Sequence, residues 1–253
     1  MKKRLTRFLP FLLAFTIALP SYSVFAEEEN QAKETQTNET NETQADETTA
    51  NDTLSLDAET AVLIDAASGE ILYDKDADKK MYPASITKLM TILLALENGK
   101  LTDEITFSHD AVYNIEPGSA HIAILEGETL TLEQVLRAII LRSANEASNG
   151  VAEYVDGSVE AFAKHMTERA KELGCTNTNF VNANGLFDEN HYTTAHDMAL
   201  IARELLKHEE YRSMMSETDY EIPPTNLQTE TRYLHGQHQM LNPNSIYYYK
   251  DAI

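Results

Sequence analysis

Ser85 and Lys88 stand three residues apart in Pro83-Ala84-Ser85-Ile86-Thr87-Lys88. On a helix that spacing puts both side chains on one face, within reach of each other. A serine hydroxyl is a weak nucleophile and becomes a useful one beside a base. A lysine serves as that base only when neutral, so its pKa has to fall from about 10.4 towards 7, at about 1.4 kcal/mol per unit. Burial can supply such a shift, and the following Leu89, Met90, Leu93 and Leu96 predict a helix sunk in a core. A helix N-terminus also offers free N–H groups and the positive end of the dipole, which suits an oxyanion near Ser85. Taken singly, Ser85 reads as a helix cap and Lys88 as a solvated lysine. A second polar cluster, Ser143-Ala144-Asn145, interrupts two helical stretches and could aim a hydroxyl and an amide at the same point. On its own it is a plain helix break.

Other chemistry is less well supported. His235 and His238 are three apart, and His191, His196 and Asp197 are close in sequence. None forms a run of defined ligand spacing, so surface or capping roles are the plainer reading and no metal or cofactor is expected. The one cysteine, Cys175, excludes an intrachain disulfide and reads as a small buried apolar residue.

The elements that must position these residues follow from periodicity. Ala61 to Ile64 and Ile71 to Tyr73 flank Ala66-Ala67-Ser68-Gly69, a hairpin signal. A helix capped by Ser85 should run to Gly99, apolar on nearly every face. A second starts at the capping box Thr131-x-x-Gln134, a third at Ser158 ends at Gly174, and a fourth is capped by Thr194 with Asp197 at its third position. After Pro223-Pro224 the composition turns strand-like, through Arg232-Tyr233-Leu234-His235-Gly236 and the run Ile246 to Ile253. Hairpin, helices, then strands predict an α+β fold: an antiparallel sheet built from both ends of the chain and flanked by helices, with an all-helical subdomain inserted.

The 253 residues carry 41 acidic and 20 basic side chains, and 42% are hydrophobic. That is enough for a core, and the charge excludes a nucleic-acid partner, which would demand a basic face. Residues 1–26 hold Lys2, Lys3, Arg4 and Arg7, a short apolar run, and Val24 and Ala26 before a cleavage point: a secretory signal peptide and hence export. Residues 27–55 are an acidic, nearly apolar-free spacer expected to be disordered. Its Asn-x-Thr triplets at Asn38, Asn41 and Asn51 follow from composition. Residues 56–253 are the folded part.

The stretches "PASITKLMT" and "RSANEAS" resemble the active-site serine penicillin-recognising enzymes, with their Ser-x-x-Lys and Ser-x-Asn boxes. Within that group "AVLIDAASGEILYDKDADKKMYPASITKLMT", "NFVNANGLFDENHYTTAHDMA" and "LNPNSIYYY" are similar to the low-molecular-weight penicillin-binding proteins of peptidase family S11 that act as D-alanyl-D-alanine carboxypeptidases. The resemblance implies the penicillin-binding protein fold and an acyl-enzyme on Ser85, formed as terminal D-alanine leaves a peptidoglycan stem peptide. It implies that Lys88 takes the serine proton, that Ser143 relays one to the leaving amine, and that Asn145 binds the substrate amide and orients Lys88. β-Lactams are implied as inhibitors acylating the same serine. The place implied is the outer face of the cytoplasmic membrane or the wall of a bacterium, Gram-positive by this reading.

One departure stands out. The family's Lys-Thr-Gly box is absent, and the sequence stops at "YYYKDAI", where Lys250 reads as a surface residue. We therefore expect a C-terminally truncated chain with an incomplete sheet, inactive or unstable by itself, and with any membrane attachment confined to a missing C-terminal segment. Two alternatives keep the same motifs. A serine β-lactamase would need a deacylating carboxylate such as Glu-x-x-Leu-Asn, a pattern that Glu172-Leu173 and Glu204-Leu205 do not continue. A catalytically incomplete wall-binding protein is the other.

Overall fold

The two N-terminal apolar runs pair as β1 (Ala61–Ile64) and β2 (Ile71–Lys75), antiparallel, from Ala61 opposite Lys75 to Ile64 opposite Ile71. Asp65 makes the turn: its Oδ1 accepts the N–H groups of Ala67 and Ser68 at 3.1 and 2.6 Å, and Gly69 follows with φ +82. The structure, a computed structural model, describes residues 56–250. The signal peptide, the acidic spacer and the final three residues of the late tyrosine-rich run lie outside the described residues.

Helix α1 (Lys88–Asn98) ends at Gly99, and α3 (Leu132–Arg142) opens on a true capping box, with Thr131 and Gln134 bonded reciprocally. Then come α4 (Asn145–Asp156), α5 (Val159–Glu172), capped by Ser158, and α6 (Ala195–Leu205), capped by Thr194 through the Asp197 N–H. Two shorter helices complete the set, α2 (His109–Tyr113) and α7 (Glu209–Met215). Met90, Leu93 and Leu94 of α1 sit in one core with Leu132 and Leu136 of α3, Val151 of α4, Phe162 and Met166 of α5, and Ile201 and Leu205 of α6. All ten are between 0% and 2% exposed, so α1 is the central buried helix its all-round apolar sequence implies. Cys175 is buried against this core, and burial, with Asp197 adding, pushes its thiol up to about 12. A thiol held there is unreactive.

The fold is α+β, but its strands form three separate antiparallel pairs: β1–β2, β3–β4 and β5–β6. β3 (Glu104–Thr106) pairs with β4 (Thr129–Thr131), and β5 (Asp219–Ile222) with β6 (Arg232–His235). The expected joining of strands from the two ends is therefore absent among the described residues. Nor is the run from Ile246 a strand. Tyr248 N–H bonds Ser245 O at 3.1 Å and Tyr249 N–H bonds Met240 O at 2.9 Å, so these residues close turns, with the three tyrosines half exposed. Strand propensity is realised only against a partner.

Candidate active site

Residues Ala84–Thr87 form one 3-10 turn that runs into α1 at Lys88. This corrects the expected start of the helix: Ser85 does not cap it, and its hydroxyl is left free for other partners. Ala84 has φ +48, a left-handed conformation costing a non-glycine residue about 1–2 kcal/mol. Ser85 is exposed, whereas Lys88 at the next turn keeps 4% of its surface. The two touch as their spacing predicts, Lys88 Nζ donating to Ser85 Oγ at 3.1 Å.

The second partner of Lys88 comes from far along the chain. Its Nζ donates to the backbone carbonyl of Asn184 at 2.6 Å. Thr91 Oγ1, on the same face of α1, donates to Ala183 O at 2.6 Å. Thr87 Oγ1 meets His191 Nε2 at 2.7 Å. Because His191 Nδ1 accepts the Val181 N–H at 3.1 Å, the ring hydrogen sits on Nε2 and is donated to Thr87. Burial holds His191 down to about 4, so it stays neutral. Thr87 at the end of the 3-10 turn and Lys88 and Thr91 of α1 are thus fastened to the segment 181–191.

That segment has local reasons for its shape. Asn182 Oδ1 accepts the N–H groups of Asn184 and Gly185 at 3.3 and 2.7 Å, a side-chain turn. Gly185 has φ +85, and a Cβ there would lie 1.9 Å from Ala84 O. Only glycine permits so close a backbone approach, and that approach brings the Asn184 carbonyl to Lys88.

The electrostatics suit a base. Burial pushes Lys88 down to about 8, and Glu146 on α4 pulls it part of the way back up. Near pH 7 roughly one molecule in ten then holds the neutral amine. In that form one N–H can remain on Asn184 O while the lone pair is available to a hydrogen bond from the Ser85 hydroxyl.

Ser143 and Asn145 occupy the tip between α3 and α4. Ser143 ends α3 in a left-handed conformation, φ +55, and Asn145, 4% exposed, begins α4 with its N–H on Ala120 O at 2.9 Å. Among the described residues neither side chain bonds to Ser85 or Lys88. The tip is tied to them through its neighbours. Asn149, one turn beyond Asn145 on the same face of α4, accepts the side-chain N–H of Asn184 at 3.1 Å, which couples α4 to the carbonyl holding Lys88. Glu146, 1% exposed, accepts the Ile122 N–H at 2.7 Å through Oε1, and its Oε2 is buried with no hydrogen-bond partner. Ser143 also borders a 600 Å³ cavity with Arg142, Glu217, His235 and His238, a space that neither Ser85 nor Lys88 lines.

Sequence reasoning missed Asn184, Asn149 and Glu146, and it weighed His191 without placing it beside the Ser85 turn. Asn182-x-Asn184-Gly185 is a visible turn signal, and Asn145 and Asn149 share the i, i+4 spacing, but a main-chain carbonyl leaves no mark on composition. Three of the four histidines weighed as metal ligands are engaged otherwise: His196 with Asp78 at 3.1 Å, His235 with Asp219, and His191 with Thr87. Asp197 accepts from Thr178 and from the N–H groups of Thr176 and Asn177.

Residues 44–251 match the family model described as D-alanyl-D-alanine carboxypeptidase, peptidase S11. The D-alanyl-D-alanine carboxypeptidase DacF of Bacillus subtilis is 43% identical over 161 residues, covering 62% of this chain and 41% of the relative. DacC of Escherichia coli is 38% identical over 160 residues, covering 60% and 40%. The chain spans about two fifths of the length of these relatives. Among solved structures, the carboxypeptidase DacD from Francisella tularensis superposes with a TM-score of 0.61 at 31% identity, covering 66% of this chain and 41% of that one. A mutant of the Streptomyces K15 DD-transpeptidase reaches a TM-score of 0.70 at 23% identity, covering 76% and 78%, and so shares the fold. The chain belongs to the D-alanyl-D-alanine carboxypeptidase family, peptidase family S11.

Proposed function

We propose that the protein is a serine D-alanyl-D-alanine carboxypeptidase acting on peptidoglycan stem peptides outside the cytoplasmic membrane. One observation carries the reading: a buried lysine amine, lowered to about 8, in hydrogen-bond contact with an exposed serine hydroxyl. The basic and apolar N-terminal run supports export.

In this reading neutral Lys88 accepts the Ser85 proton as Oγ attacks the carbonyl carbon of the terminal D-Ala-D-Ala bond. The oxyanion is met by backbone N–H groups at the start of the 3-10 turn. The C–N bond breaks, the proton passes through Ser143 to the leaving amine, and D-alanine departs. An ester on Ser85 remains, with Asn145 holding the substrate amide. Water then attacks the ester, delivering its proton to Lys88 and restoring the serine. A β-lactam opens on the same oxygen, its ring amide standing for the scissile bond, and leaves a slower ester.

The test is D-alanine release from a peptide ending in D-Ala-D-Ala, together with labelling by a fluorescent penicillin. Turnover at a normal rate by residues 1–253 alone overturns the expectation that this chain is inactive by itself. Release and label are both expected to vanish in Ser85→Ala. Label that persists in that variant refutes the reading, and rapid hydrolysis of the penicillin in place of a lasting label makes the protein a β-lactamase.

A further inference from the structure

Three large apolar side chains stand exposed at the nucleophile: Tyr82 at 58%, Ile86 at 53% and Phe187 at 73%. Single exposed apolar residues are ordinary, whereas a cluster of them marks a contact surface. Tyr82 and Phe187 form an edge-to-face pair, with centroids 5.0 Å apart and planes at 67°. Chain geometry keeps that pair close to Ser85. Tyr82 lies three residues upstream, so its Cα is at most about 11 Å from that of Ser85, three trans-peptide steps of about 3.8 Å. Phe187 lies two residues beyond Gly185, whose backbone is pressed on Ala84 O. The intervening Leu186 is clamped, its carbonyl accepting Asn182 Nδ2 at 2.9 Å. Ile86 follows Ser85 directly. The turn that delivers the Asn184 carbonyl to Lys88 therefore also carries Phe187, whose ring meets that of Tyr82 from the segment leading into Ser85.

Resting on the acyl-enzyme reading above, we propose that Tyr82, Ile86 and Phe187 are the specificity surface of this site and bind the non-reacting apolar part of the acyl donor. Donors carrying an aromatic or aliphatic group are then preferred over donors with the same reactive amide and no such group. Both partners lose water on contact, and binding energy from a remote part of the substrate can be used to position the reacting carbonyl. An aromatic group adds geometry as well as area, since rings prefer offset or edge-to-face contact with other rings.

Benzylpenicillin and 6-aminopenicillanic acid share the strained amide and differ in a phenylacetyl group. The second-order rate constant for acylation of Ser85, followed by intact mass, is measured with both compounds on the protein, Phe187→Ala, Tyr82→Ala and Phe187→Leu. The benzylpenicillin to 6-aminopenicillanic acid ratio cancels any loss common to the two. It is expected to fall about three- to tenfold in each alanine variant, and Phe187→Leu, which keeps apolar area, retains most of it. Melting temperatures should hold, because both rings are solvent-facing. An unchanged ratio in both alanine variants overturns the proposal. Absence of any adduct on the parent protein is a different failure: it removes the acyl-enzyme reading, and this inference falls with it.

Discussion

Two buried charged side chains in this molecule are treated in opposite ways. Glu128 is fully buried and is gripped by Arg232 through both carboxylate oxygens, at 2.6 and 2.7 Å, with Thr225 and the Leu125 N–H completing its shell. Burial, the largest single influence, would raise its pKa, but these donors together outweigh it and hold the carboxyl below its ordinary value. Lys88 is just as deep, yet its two hydrogen-bond partners are neutral, a carbonyl and a hydroxyl. The one carboxylate that influences it, Glu146, only partly offsets the burial. A buried charge with a bidentate partner ties the start of β4 to β6, whereas a buried charge without one loses its proton more readily, which is what a base requires.

The sharpest way to break this contrast is to give Lys88 a charge it cannot lose. Lys88→Arg should lower the acylation rate by penicillin about 10³-fold or more, since a guanidinium does not deprotonate; mass spectrometry of the adduct reads this directly. The opposite site should respond in stability instead. Arg232→Met strands Glu128 and is expected to cost about 3–5 kcal/mol in denaturant unfolding, with the pH profile of acylation unmoved. Gly185→Ala crosses the two categories. Its Cβ strikes Ala84 O, so unfolding should cost about 1–3 kcal/mol and acylation should slow about tenfold as the Asn184 carbonyl leaves Lys88. The smallest effect belongs to Glu146→Gln, which keeps the Ile122 bond and removes the charge. The midpoint of the acylation pH profile should move to lower pH, by less than about one unit.

How much of this was legible beforehand depends on the kind of interaction. The hairpin, the Thr131 capping box, the Ser158 and Thr194 caps and the Gly99 stop are short-range, and their residues carry the signal locally. The Ser85–Lys88 contact was legible for the same reason, a spacing of three. What failed was backbone conformation and non-local contact. In place of the cap expected at Ser85 there is a 3-10 turn entered through the left-handed Ala84. The partner of Lys88 is a main-chain oxygen on a loop held by Gly185, and no composition announces it. β3 and β4 are three residues each and are defined only by pairing with one another. The tyrosines near Ile246 have strand propensity but find no partner strand among the described residues, so turns satisfy their backbone.

Linkage adds a sign to the Lys88 account. Its folded pKa lies below the ordinary 10.5, so the folded state is penalised while the group is protonated. That penalty is full below pH 8 and is relieved as pH rises from about 8 to 10.5. The neutral fraction that drives acylation rises over the lower edge of the same window. The decisive measurement is the rate of Ser85 acylation by benzylpenicillin between about pH 6 and 9.5. A base at about 8 predicts a rise approaching tenfold per unit below that point and a plateau above it, with Lys88→Arg slow throughout. A rate already level at pH 6 in the parent protein, or a Lys88→Arg variant as fast as the parent, would contradict it.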